Sequence, residues 1–178
     1  MILTMNKSID WEKHLIIRVG KIEATDLAQR VLDNPEPNLN SLLNIIVNGK
    51  PPSNAKGAWV FRQLSNMDTS LVKETYSQFI PPLSKLSPDG IKRDLLKVIL
   101  NTGFDQEYAG QLATDCLGFL QSPPTAVAVK YNSMIILDRI CKMWPEMQRE
   151  YHLVLSNMMS HETNSFKRQA QKRLLNSK

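Results

Sequence analysis

Five lysines, Lys21, Lys56, Lys92, Lys130 and Lys167, each open a run with helical spacing, and they follow one another at intervals of 35, 36, 38 and 37 residues. Three residues after each lysine stands a small or apolar residue: Ala24, Trp59, Leu95, Ser133 and Ala170. About a turn further on come Ala28, Leu64, Ile99, Leu137 and Leu174. A period near 37 has room for two helices and their turns. Such a pair cannot bury its apolar face alone, so it stacks on the next pair. The period therefore predicts an all-α chain, a right-handed α-α superhelix of five helix pairs, with residues 1–178 forming one repeat domain.

Breakers between the runs give ten helices. Asp10 or Ser8 caps a first helix reaching about Val19, and a second spans Ile22 to Asp33, before N-P-E-P. The third runs from Asn38 to Val47, closed by Asn48-Gly49, and the fourth from Asn54 to Asn66. Asp68 or Thr69 starts a fifth, expected to continue to Pro81-Pro82; the sixth begins at Ser87-Pro88-Asp89 and ends at Thr102-Gly103. Asp105 to Leu120 is the seventh. The eighth follows Pro124-Thr125, the ninth begins at Pro145, and Asn164 is expected to cap the tenth. Connections this short make consecutive helices pack as hairpins.

The eighth run is apolar on two adjoining faces, Val127, Tyr131, Met134, Ile135 and Val129, Ser133, Ile136, Leu137, Ile140. Only a narrow polar stripe through Lys130, Asp138 and Lys142 remains, with Asp138 four residues ahead of Lys142 in the favourable order. That pattern predicts a helix buried on most sides. The last run has one apolar stripe, Phe166, Ala170 and Leu174, and reads as an end cap.

The net charge of +5 matters only through its location. From Thr163 onward there are five cations (Lys167, Arg168, Lys172, Arg173 and Lys178) and no carboxylate side chain, which leaves seventeen charges of each sign in the preceding residues. The body is neutral and the excess sits in one terminal helix. Cys116 and Cys141 have no C-x-x-C spacing and no histidine at a ligand offset, so they read as reduced core thiols of a cytoplasmic protein. The opening M-I-L-T-M-N-K-S-I-D lacks a long apolar run, and no stretch approaches the length of a membrane span.

Asp89-x-x-Lys92, with Ile91 before the lysine and Leu95 and Ile99 after it, resembles the D-x-x-V-R/K-x-x-A-x-x-x-L signature of the second helix of a HEAT repeat. The likeness is best in the last three units and weakest in the first, which has no leading Asp. A-W-V-F-R, V-A-V-K-Y-x-S-M-x-x-L and S-F-K-R-Q-A-Q-K-R-L further resemble a group of short HEAT-like proteins from Bacteroidetes, some bearing the label adenylosuccinate lyase. The lyase chemistry is excluded here: that enzyme is far longer and needs an S-S-x-M-P-x-K-x-N loop that this chain lacks. The resemblance thus implies a fold and no reaction.

No catalytic, cofactor or metal constellation is legible. His14, His152 and His161 form no H-E-x-x-H and no helical pair, and there is no glycine-rich phosphate loop. Asp115-Cys116 lies in a core-like run with no histidine positioned to activate the thiol. The lysine ladder reads in two ways: as a structural device, since the resemblance implies that the equivalent basic residue bonds neighbouring repeats, or as exposed charges following a phosphate backbone. Trp59 and Tyr131 beside it are either core aromatics or bases' stacking partners. Arg168, Lys172 and Arg173 are expected to behave as solvated charges of the cap, or as a basic surface. Two functions follow. One is a non-enzymatic scaffold for a protein or peptide partner; the other is a nucleic-acid binder related in fold to the HEAT-like alkylpurine DNA glycosylases.

Overall fold

The computed structural model describes residues 8–16 and 19–175. The chain is all-α, with no strand among the described residues. The helices are α1 Trp11–Ile16, α2 Lys21–Asp33, α3 Pro35–Asn48, α4 Ser53–Met67, α5 Thr69–Lys73, α6 Tyr76–Phe79, α7 Asp89–Thr102, α8 Gln106–Gln121, α9 Val127–Met143, α10 Gln148–Met158 and α11 Asn164–Leu175, with 3-10 turns at Leu83–Lys85, Pro145–Met147 and Met159–His161. They fall into two compact units, Met1–Thr102 and Gly103–Lys178.

In the first unit α4 is the hub. It packs against α2 on one flank, α7 on the other and α3 from a second layer, while α3 also touches α6. Gly57 lets α3 come close: a Cβ there would stand 3.2 Å from Ile46 Cγ1 and 3.4 Å from Leu42 Cδ1. The apolar positions three residues after the ladder lysines are buried in α2 and α7, at Ala24 and Leu95, and the next turn is buried in all three helices, at Ala28, Leu64 and Ile99. Trp59 is half-buried, and its indole Nε1 is buried with no hydrogen-bond partner among the described residues.

Polar side chains in this unit tie segments together. Asn38 accepts the Ile9 amide at 2.7 Å and donates to the Asn34 carbonyl at 2.9 Å, anchoring the approach to α1 on α3. Asn54 donates to the Gly49 and Ser87 carbonyls, joining the turn before α4 to the turn before α7. Asp94, buried on α7, accepts from Arg62 of α4 at 2.7 Å and from the adjacent Arg93 at 2.9 Å. The Arg93 hydrogen bond raises that guanidinium's pKa further above its already high value.

The fifth helix does not run on to Pro81. It stops at Lys73, because the Thr75 hydroxyl bonds back to the Val72 carbonyl at 2.7 Å and the Thr75 amide takes the same oxygen, so a local turn replaces the helical ladder. The chain turns into α6, which buries Tyr76 and Phe79. Phe79 meets the rings of Phe61 and Tyr76 edge-on at 5.5 and 5.8 Å. The Thr102 hydroxyl already donates to the Val98 carbonyl, so it is the Tyr76 hydroxyl that donates to Thr102 Oγ1, at 2.5 Å.

Helix starts follow local chemistry. The Asp10 carboxylate accepts the Lys13 amide and Asp68 the Leu71 amide, as caps. The expected extension of α1 to Val19 runs through residues 17 and 18, which lie outside the described ones. The cap of α11 is Thr163, one residue earlier than expected: its hydroxyl takes the Phe166 amide and its carbonyl the Lys167 amide, leaving Asn164 as the first helical residue. Gly103, at φ +83°, occupies the left-handed conformation that ends α7 and that a side chain would resist.

In the second unit α8 packs on α9 and on α10, and α11 rests on α9 and α10. Ser133, Leu137 and Ala170 are fully buried, as their places in the period require. The expected polar stripe of α9 is overturned at Lys130, which is 1% exposed, and the expected apolar burial is overturned at Val127 and Tyr131, each 40% exposed. The lysine's face of α9 is thus turned inward at the start of the helix, and the ion pair described next compensates the buried charge.

Candidate functional site

Lys56, Lys92, Lys130 and Lys167 are each the fourth residue of their helix, whereas Lys21 is the first residue of α2. In environment the five differ. Lys21 is exposed; Lys56, Lys92 and Lys167 are half-buried; Lys130 is buried. Lys56 Nζ donates to the Leu15 carbonyl at 2.8 Å and the Ile16 carbonyl at 3.1 Å, at the end of α1. Lys92 Nζ bonds Asp89, three residues back in its own helix, at 3.2 Å. Lys130 Nζ donates to the carboxylate of Glu162, which enters from the turn before α11 and is itself 9% exposed.

The basic end of α11 is likewise divided. Arg168 and Lys172 are exposed. Arg173 is not a solvated charge: its Nε lies 2.9 Å from Asp138 Oδ2 on α9 and its Nη1 bonds the Gln169 carbonyl and side chain, both at 3.0 Å. Asp138 also accepts from the Tyr151 hydroxyl of α10 at 3.2 Å, so this carboxylate joins α9, α10 and α11. Burial, then the Asp138 charge, pushes the Tyr151 phenol above its ordinary range.

These contacts shape two adjoining clefts over α9 and α11. One, of about 490 Å³, carries the charged groups: it is walled by Asp138, Lys142, His152, Lys172 and Arg173, with Cys141 also in its lining. The other, of about 520 Å³, is mainly apolar, between Val127, Ala128 and Met134 of α9 and Phe166 of α11. Tyr131 and Gln169 border both. Each has the size of an ordinary ligand pocket.

The groove is what the sequence reading missed. Tyr131 was legible as an aromatic beside a ladder lysine, but Val127, Cys141, His152 and Gln169 carried no signal, because cleft walls depend on how α11 lies on α9. The thiols differ in setting: Cys116 is buried on α8, where desolvation pushes it up to about 12 against a smaller opposing effect of the Ser133 hydroxyl, while the half-buried Cys141 is raised by burial and by Asp138. Neither thiol is activated as a nucleophile.

Layers of helix pairs, with a lysine on the first turn of four of the helices, define a helix-pair repeat protein. The chain belongs to the HEAT repeat domain family, whose profile matches residues 11–178. Searches of the curated proteins and of the solved structures returned no match.

Proposed function

We propose that this protein is a non-enzymatic HEAT-repeat scaffold, working in the cytoplasm and holding a protein or peptide partner on its helical faces. The observation that carries this reading is the pair of adjoining clefts over α9 and α11, open to solvent and bordered by the exposed Val127 and Tyr131. Stacked helix pairs offer partners such extended grooves. The raised thiols support a non-catalytic site, and two free cysteines suit a reducing compartment. No described helix is long and apolar enough to cross a membrane.

The nucleic-acid alternative needs an exposed row of lysines. Burial of Lys130 against Glu162, together with the backbone and carboxylate bonds of Lys56 and Lys92, favours the structural reading of the ladder. Co-purification from native lysate, with and without nuclease and read by mass spectrometry, tests the choice. A stoichiometric protein partner that survives nuclease is expected; recovery of nucleic acid alone, or turnover of a substrate, overturns the scaffold reading.

A further inference from the structure

The two clefts lie along one helix. From Val127 to Lys142, α9 advances about 22 Å at 1.5 Å per residue, the span of about six or seven residues of extended chain. A small metabolite would fill one cleft; a peptide segment fills both. The ends differ in chemistry. At the Val127 end the walls are Val127, Ala128, Met134 and Phe166, and burying a large side chain there removes apolar surface on both partners from water. At the Lys142 end three cations, Lys142, Lys172 and Arg173, face one carboxylate, Asp138. Asp138 is engaged by Arg173 and Tyr151, so Lys142 and Lys172, both exposed, set the sign of the field.

From this we infer that the α9–α11 groove is a docking site for a short acidic peptide segment of a partner protein: one large apolar side chain enters beside Tyr131 and Phe166, and an Asp or Glu within about six residues meets Lys142 and Lys172. Charge complementarity selects this occupant. A phosphate backbone would meet the same two lysines, but it would leave the apolar half, between Val127, Met134 and Phe166, without an apolar group to fill it. The inference rests on the scaffold reading and assigns it a place and a partner chemistry.

Display selection of random 12-residue peptides on the full chain tests it, followed by fluorescence polarisation of the selected peptides. Two variants locate the site without touching the buried core: Val127→Asp at the apolar end and Lys142→Glu/Lys172→Glu at the other, each checked for an unchanged melting curve. Selected peptides should pair a large apolar residue with Asp or Glu, and binding should weaken at least tenfold in each variant. The affinity should also fall as salt rises. A library giving nothing above the Val127→Asp bait overturns the inference. So do selected peptides that bind both variants as well as the parent, which would leave the scaffold reading standing with its site elsewhere. Tight binding of a dT20 oligonucleotide, lost in Lys142→Glu/Lys172→Glu, would overturn both.

Discussion

Lys130 and Glu162 form a buried ion pair across 32 residues of sequence, the ammonium entering from the first turn of α9 and the carboxylate from the turn that leads into α11. Both charges are withdrawn from water, so each is tolerable only because the other is there. Glu162→Gln should therefore cost about 3 kcal/mol, and Lys130→Met a similar amount, by stranding the remaining charge. The double variant Lys130→Met/Glu162→Gln should recover most of that loss. Urea melts of the four proteins check it; single-variant losses that simply add in the double variant would show that the pair is not coupled.

Lys56 satisfies two carbonyls at the end of α1, a helix too short to persist on its own. Lys56→Met keeps the aliphatic stem and removes the donor, and should cost about 1 kcal/mol. Amide exchange should speed up in α1 and not in α7. Uniform acceleration across both helices would mean that Lys56 supports the global fold instead.

The thiol of Cys116 gives a pH signature. Below pH 9.0 it is neutral in folded and unfolded chains alike; above 9.0 the unfolded chain releases the proton, while the folded chain, with its pKa pushed up to about 12, keeps it. Stability should accordingly fall with rising pH across that window, by up to about 1.4 kcal/mol per pH unit from this group. Cys116→Ala starts less stable through lost packing but should lose stability less steeply. Parallel slopes above pH 9.0 would refute the assignment. In native thiol titration Cys141 should react first.

Arg173 and Lys172 are neighbours with different work. Arg173→Gln breaks the pair with Asp138 and should cost about 1 kcal/mol, the pair being partly exposed, whereas Arg168→Gln and Lys172→Gln should stay within about 0.5 kcal/mol of the parent. Equal melting temperatures for all three variants would count against the pairing.

Local rules carried the sequence reading a long way. The helices around Lys92 and Lys130 and the caps at Asp10 and Asp68 all follow from signals within one or two turns, and the period is the same local pattern recurring every 35 to 38 residues. What escaped were the pairings over 30 residues or more. Asp138 stands ideally for Lys142, yet it serves Arg173, 35 positions away. Lys130 reads equally as a bond between repeats or as an exposed charge, and only the meeting with Glu162, 32 residues on, decides between them. Because the groove is lined by α11 lying on α9, its walls were invisible for the same reason. Thr75 was a different kind of miss: one hydroxyl competing with the backbone ended a helix whose apolar pattern ran on.

The lysine of the first turn keeps its position in four of the helices while its bonds change: carbonyls at the end of α1 for Lys56, its own helix for Lys92, the turn ahead of α11 for Lys130. The helix pairs are thus alike in outline and not interchangeable in place. A chain lengthened by duplicating the α8–α9 pair would copy Lys130 without Glu162 and bury a charge with nothing opposite it. Growth or shortening of this array by whole repeats would have to carry the pair's second half along, so a cut through the segment between α9 and α11 is the one least suited to recombination.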